Sequence, residues 1–196
     1  WAAFIDGERT FGREVLPRGL VAVPMTQGSN SPRWTYRKDS LFTEGQDRGF
    51  VDRVQFIDTK TYMDDVRRAA NLNFDVEFPS KTWWVPFEFP LGSPPTDVAE
   101  GTASELLRSS GVGNGQTVTM AAWLEGPGTL TFRASVSAED NDVFIFRLDG
   151  APRVTQGGTL GITPFTQEIA EGSHYVEFMY RKDFTLDGGN DLVFLD

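Results

Sequence analysis

Cysteine is absent from the 196 residues. Disulfides, zinc–thiolate sites and cysteine catalysis are therefore excluded, and the composition fits a secreted bacterial protein and a cytosolic one equally. Histidine occurs once, as His174. A nucleophilic triad would have to be built on it, yet Ser173 beside it would point to the other face of a strand. No segment approaches the ~18 apolar residues of a membrane span, so membrane insertion is not expected. No signal peptide is visible, which says nothing about export in a chain that starts in mid-pattern. Basic charge is scarce in one part. Residues 1–73 carry 11 Lys and Arg against 10 Asp and Glu, whereas residues 74–196 carry 7 against 18, and the whole chain stands at −10. The acidic part repels nucleic acid and anionic lipid and attracts divalent cations; it is also what a solvated, soluble surface looks like.

What is present is a stretch that occurs twice. Gly172–Asp196, GSHYVEFMYRKDFTLDGGNDLVFLD, matches Gly28–Asp52, GSNSPRWTYRKDSLFTEGQDRGFVD, at a constant offset of 144. Tyr36-Arg37-Lys38-Asp39 becomes Tyr180-Arg181-Lys182-Asp183, and Gly45, Asp47, Phe50 and Asp52 become Gly189, Asp191, Phe194 and Asp196. Upstream, WAAFIDG at 1–7 matches FIFRLDG at 144–150 with an offset of 143. Matched residue types at fixed spacing read as an internal repeat.

In chain order, 1–7 reads as a strand entering an Asp6-Gly7 turn, because glycine takes positive φ cheaply. Residues 8–27 and 151–171 read as short strands broken by Gly and Pro. Residues 33–37 and 176–181 alternate with period two, as a half-buried strand does, and are followed by polar loops at 39–48 and 183–192. Phe50–Phe56 is expected to close the first copy as a strand. Tyr62, Val66, Ala69 and Ala70 lie near helical spacing, so 58–73 reads as a linker or a short helix. From Phe74 a new unit opens, with strands expected at 74–78, 82–89, 104–109, 117–124, 130–136 and 143–148, and a tight turn at Gly126-Pro127-Gly128. Many short strands with almost no helix indicate a β-sandwich or barrel. The expected core includes Phe132, Val136, Phe144 or Ile145, Phe178 and Phe194.

GPGTLTF at 126–132, Val136-Ser137-Ala138-Glu139, Asp149-Gly150, Gly172-Ser173-His174, the Tyr180–Asp183 tetrad and Gly189-Asn190-Asp191 through Asp196 together resemble a tandemly repeated concanavalin A-like, MAM-like jelly-roll domain of secreted bacterial multidomain surface proteins. The likeness covers most of 74–196; residues 1–56 match only its later half. It implies an all-β fold of antiparallel jelly-roll β-sandwich repeats: 1–57 as the C-terminal half of a first repeat, 58–73 as linker, 74–196 as a second repeat. It also implies an extracellular or cell-surface setting, with neighbouring repeats or identical subunits as partners. In such sandwiches first and last strands lie side by side, which implies a Ca²⁺ site at the seam of Asp75, Glu77 and Asp196.

The residues themselves offer further candidates. Glu139, Asp140 and Asp142 form a carboxylate cluster on one loop, either a second Ca²⁺ site or a solvated surface. Trp83 and Trp84, with Phe87 and Phe89, read as a sugar-stacking platform or as core. The Tyr-Arg-Lys-Asp tetrad reads as strand-end chemistry. The first functional expectation is a non-enzymatic structural or adhesive repeat domain within a longer surface or filament-forming protein. The second is a carbohydrate-binding module of a secreted polysaccharide-degrading enzyme, and the third a hydrolase. A half sandwich exposes its inner face, so Trp34, Tyr36, Phe50 and Val54 are expected to need a second sheet from elsewhere.

Overall fold

A computed structural model describes residues 2–5, 8–12, 25, 28–36, 49, 51, 54–69, 72, 74–80, 83–88, 105–185 and 189–196. Ten strands and one helix lie among them: β1 (Ala2–Ile5), β2 (Glu8–Gly12), β3 (Pro32–Thr35), α1 (Thr59–Ala69), β4 (Trp84–Glu88), β5 (Glu105–Ser109), β6 (Thr117–Ser137), β7 (Val143–Leu148), β8 (Ala151–Gly157), β9 (Leu160–Arg181) and β10 (Leu192–Leu195). The fold is an all-β antiparallel sandwich. A seven-stranded sheet runs β4-β5-β10-β6-β9-β7-β8, and a separate three-stranded sheet runs β2-β1-β3.

β6 and β9 pass through both layers of the sandwich. Thr117–Gly126 pairs with Gly172–Arg181, and Gly128–Val136 pairs with Leu160–Ile169. Phe132, opposite Phe165, nevertheless touches Phe178, whose register partner is Met120. Two halves of one strand pair meet in this way only if the pair folds over on itself. The fold comes at Gly126 and Gly172, with a register shift between Gly126 and Gly128. A Cβ at Gly126 would strike the carbonyl oxygen of Ala170, so no other residue fits there. The tight turn expected at 126–128 is thus a bulge inside a 21-residue strand, and the strand breaks expected before Gly172 are absent from β9. Bulges bend a strand without ending it.

The core cluster joins Phe132, Val136, Phe144, Phe146, Phe178 and Tyr180 with Val193 and Leu195 of β10. Ile145 is buried as well, whereas Phe194 is only partly so. α1 belongs to the same core: Tyr62, Val66 and Ala69, spaced one turn apart, pack with Trp84, Val85 and Leu107. Asp58 caps the helix, its carboxylate accepting the Thr61 backbone N–H at 3.1 Å and the Thr61 hydroxyl at 2.7 Å. Residues 74–78 make only an isolated bridge, Glu77 to Ala121. Val51 and Val54–Phe56, expected in a closing strand, are outside any strand. Asp6-Gly7, the 39–48 loop, Phe50 and Phe89, and the side chain of Phe87, lie outside the described residues.

The three-stranded sheet follows the registers of β7, β8 and β9. Ile5 faces Glu8 as Leu148 faces Ala151, and Ala3 faces Phe11 as Phe146 faces Val154. The irregularity between Ala3 and Phe4 falls where β7 has one between Phe146 and Arg147. Ala3 faces Trp34 and Ala2 faces Thr35, as Phe146 faces Phe178 and Ile145 faces Met179.

Candidate functional site

The recurring tetrad closes a buried ionic network at the end of β9. Tyr180 and Lys182 come from β9 and its continuation, Asp142 from the loop before β7, and Asp191 from the approach to β10; all four are buried. Lys182 Nζ donates to Asp142 Oδ2 at 3.1 Å and lies 3.3 Å from Asp191 Oδ2. Tyr180 Oη donates to the same Asp142 oxygen at 3.3 Å, and the Asp183 backbone N–H donates to Asp142 Oδ1 at 2.8 Å. Burying charge is costly without such pairing, and here one ammonium stands between two carboxylates, of which Asp142 is also hydrogen-bonded by Tyr180 and by the Asp183 backbone. The Gly-x-Asp motif sets the geometry. Gly189 has φ 67° and lies against Ser137 and Ala138, where a Cβ would come within 2.9 Å of backbone atoms, and Asp191 has φ 49°.

Glu139 and Asp183 form the rim. Carboxylate oxygens of Glu139, Asp142 and Asp183 lie within 4.8 Å of one another. Burial pushes the Glu139 carboxyl up, and the charges of Asp183 and Asp142 add to it. Asp183 is held below the usual range by the Thr185 backbone N–H at 2.7 Å and the Thr185 hydroxyl, with a hydrogen bond from Glu139. Of the two, Glu139 is the one whose neutral form its surroundings favour. Three hard oxygens at this spacing could also hold a divalent cation. Of the loop carboxylates singled out in the sequence, Glu139 and Asp142 are here, Asp140 is exposed beside Gly158, and Asp183 completes the group.

The other expected residues are dispersed. Asp75 is exposed and paired with Arg67 of α1. Asp196 pairs with Arg133 through its carboxylate and through backbone hydrogen bonds of 2.8 and 3.0 Å. Glu77 bridges to Ala121, on a different stretch of β6 from Arg133. Trp84 is wholly buried, while Trp83 stacks on Phe78 at 5.2 Å and meets Tyr62 at 4.7 Å, so these rings face protein.

An aromatic pair not foreseen from the sequence lies on the outer face. Trp123 of β6 is 57% exposed, faces Tyr175 of β9 directly, and packs on it with ring centroids 5.0 Å apart at 51°. Next along the pair, Glu177 faces Ala121, which Glu77 bridges from the other side, and Arg147 of β7 faces Glu177. Burial and the charges of Glu77 and Glu177 raise the Tyr175 hydroxyl. Behind Tyr175, Asp149 (φ 51°) accepts the Tyr175 backbone N–H at 2.9 Å and pairs with His174 Nδ1 at 2.7 Å. That bond raises the imidazole and lowers the carboxyl. His174 Nε2 meets no hydrogen-bond partner among the described residues, so no hydroxyl completes a triad there. The signal for Trp123 was its strand parity: it shares neither face nor chemistry with Ala122 and Leu124.

No protein-family model matches the chain, and no curated protein matches it by sequence. The "Secreted serine protease VesC from Vibrio cholerae" superposes with a TM-score of 0.50 at 16% identity, over 68% of this chain and 26% of that one. The likeness is one of fold. The expectation of a non-enzymatic chain is corrected by it, since the same fold recurs inside a secreted enzyme and gives no ground for excluding one. The "Podospora anserina GH26-CBM35 beta-(1,4)- mannanase" (12% identity, 57% of this chain and 27% of that one) and the "PA14 domain of MpAFP Antifreeze protein" (19%, 69% and 73%) superpose with TM-scores of 0.26, too loosely to define a shared fold. The chain spans about a quarter of the length of the first two. Among the described residues no helix is long and apolar enough to cross a membrane.

Proposed function

We propose that this chain is an extracellular β-sandwich unit of a longer protein that binds polysaccharide on the face bearing Trp123 and Tyr175. The observation that carries the reading is the exposure of Trp123 on a rigid paired strand. A large ring left in water and braced by a second ring offers a flat apolar surface to a sugar ring, and Glu177, Glu77 and Arg147 beside it offer acceptors and donors to its hydroxyls. Calorimetric titration with a panel of soluble polysaccharides tests it. At least one should bind, and Trp123→Ala should abolish the binding while leaving the melting temperature nearly unchanged. Equal binding by wild type and variant would remove the site from this face.

A second reading, a structural or adhesive repeat whose partners are neighbouring units, is favoured by the shared registers of the two sheets. Ca²⁺ enters either reading best at Glu139, Asp142 and Asp183, because their oxygens converge, whereas Asp75, Glu77 and Asp196 are engaged at separate places. Calcium there should raise the melting temperature by mass action, and do so less at acid pH, where carboxylates are protonated. An unchanged melting temperature from chelator-treated protein to millimolar Ca²⁺ would remove the metal.

A further inference from the structure

The face that carries Trp123 and Tyr175 is acidic as well as aromatic. Period-two alternation puts Glu125, Trp123 and Ala121 of β6 on one face, with Ser173, Tyr175 and Glu177 of β9 opposite them. Glu77 bridges to Ala121 from the side away from β9, so Glu77, Ala121 and Glu177 form a row across three neighbouring segments. Neighbouring strands lie about 4.8 Å apart, so the backbones of the two glutamates are about 10 Å apart, with only the small, buried Ala121 between them. The charges of both glutamates reach the Tyr175 hydroxyl. Glu125 is exposed on the other side of Trp123. Among the described residues none of these three carboxylates makes an ion pair. Two cations stand on the far side, in β7 and β8: Arg147 faces Glu177 without pairing with it, and Arg153 acts on Asp149. Like charges gathered without counterions destabilise the free chain, and a ligand that brings positive charge relieves them.

We propose that the polysaccharide bound on this face is a polymer of amino sugars whose amino groups are free and protonated. The inference rests on the carbohydrate reading above and names its ligand. The rings supply the apolar contact that a sugar face accepts, and the negative charge on their faces also attracts an ammonium. The carboxylates then select. An ammonium beside Trp123 falls between Glu125 on one side and Glu77 with Glu177 on the other. A neutral N-acetyl group gains no charge attraction there. A carboxylated or sulfated sugar is repelled by the three glutamates and by the excess of acid in residues 74–196, where 7 Lys and Arg stand against 18 Asp and Glu.

The test is calorimetric titration of the full chain, at slightly acid pH, with three β-linked hexasaccharides of the same linkage: glucosamine, N-acetylglucosamine and glucose. The glucosamine hexamer should bind roughly tenfold tighter than either neutral one, which is what two or three exposed charge pairs contribute. Trp123→Ala should abolish the binding. Glu77→Gln with Glu177→Gln should weaken the glucosamine hexamer roughly tenfold and leave the neutral ones unchanged. Glu77→Gln alone, at an exposed position, should show about a threefold part of that loss, which guards against a folding defect at the half-buried Glu177. Binding of a neutral hexamer through Trp123 as tightly as glucosamine overturns the proposal and leaves the carbohydrate reading standing. No binding by any hexasaccharide or by the soluble polysaccharides removes both. Removing two acids elsewhere, Asp140→Asn with Glu168→Gln, should have little effect. An equal loss in that variant would assign the binding to the net charge of −10 and overturn the proposal. Equal binding of a lysine hexapeptide through the same residues would make the partner a basic peptide and overturn it too.

Discussion

β1–β3 and the β7–β9 part of the larger sheet share one set of registers and differ in what packs on them. Both pair antiparallel about a central strand, and both carry an irregularity at the same place. In β7–β9 the inner face is sealed by Phe132, and the strand end is tied down by Asp142 through Tyr180 and Lys182. Beside the first sheet's β1, Trp34 of β3 and Tyr36 just after it are exposed. Strand pairing is therefore set by local sequence, whereas burial is set by whatever supplies the second layer. Each fully covered side chain is worth about 1.5–3 kcal/mol, so the cover and not the pairing carries most of the stability.

The largest expected effect breaks the buried network. Lys182→Met leaves Asp142 and Asp191 without their shared cation and should cost about 3–5 kcal/mol in denaturant unfolding. A cost near zero would mean that the network is dispensable to β7–β9. Next comes the paired substitution of the equivalent rings. Phe178→Ala opens the core and should cost about 3–5 kcal/mol. Trp34→Ala, on an exposed face, should change stability by about 0.5 kcal/mol or less. Similar losses at both would show the first sheet already covered. Smaller again, Tyr180→Phe removes a hydroxyl that donates to Asp142 and should cost about 1–3 kcal/mol, while Tyr36→Phe should be neutral within about 0.5 kcal/mol.

The smallest effect is in pH. Asp183 is lowered from 3.8, so its contribution is present above that value and is lost as pH falls through its folded pKa. Glu139 is raised from 4.5, so its contribution is present below 4.5 and is lost as pH rises through its folded pKa. His174 is raised from 6.5, and its bond to Asp149 likewise weakens as pH rises through the raised value. Glu139→Gln should remove the loss of stability above pH 4.5, and His174→Gln the loss above 6.5, in melting temperatures taken across that range. An unaltered profile in either variant would assign the dependence to other groups.

Much of this was legible in the sequence. Period-two alternation at 33–37 and 176–181 pointed to strands, and β3 and β9 lie there; the offsets of 144 and 143 matched positions that also share registers in β1–β3 and β7–β9. The tetrad's recurrence was visible, but its role was not, because Asp142 reaches Lys182 from 40 residues away and looked like one more loop acid. Gly126-Pro127-Gly128 spelled a turn, since those residues end most strands; in a strand folding between two layers the same residues make the bulge. Trp83 and Trp84 drew attention because they are adjacent, while a lone tryptophan beside alanines, Trp123, proved to be exposed. Sequence patterns report which residues alternate, and exposure depends on what packs over them.

Amide hydrogen exchange on the isolated chain compares the two sheets most directly. Amides of β7–β9 should exchange only through global unfolding, and those of β1–β3 roughly a hundredfold faster or more, through local opening of an uncovered sheet. Equal protection in the two sheets would contradict the account.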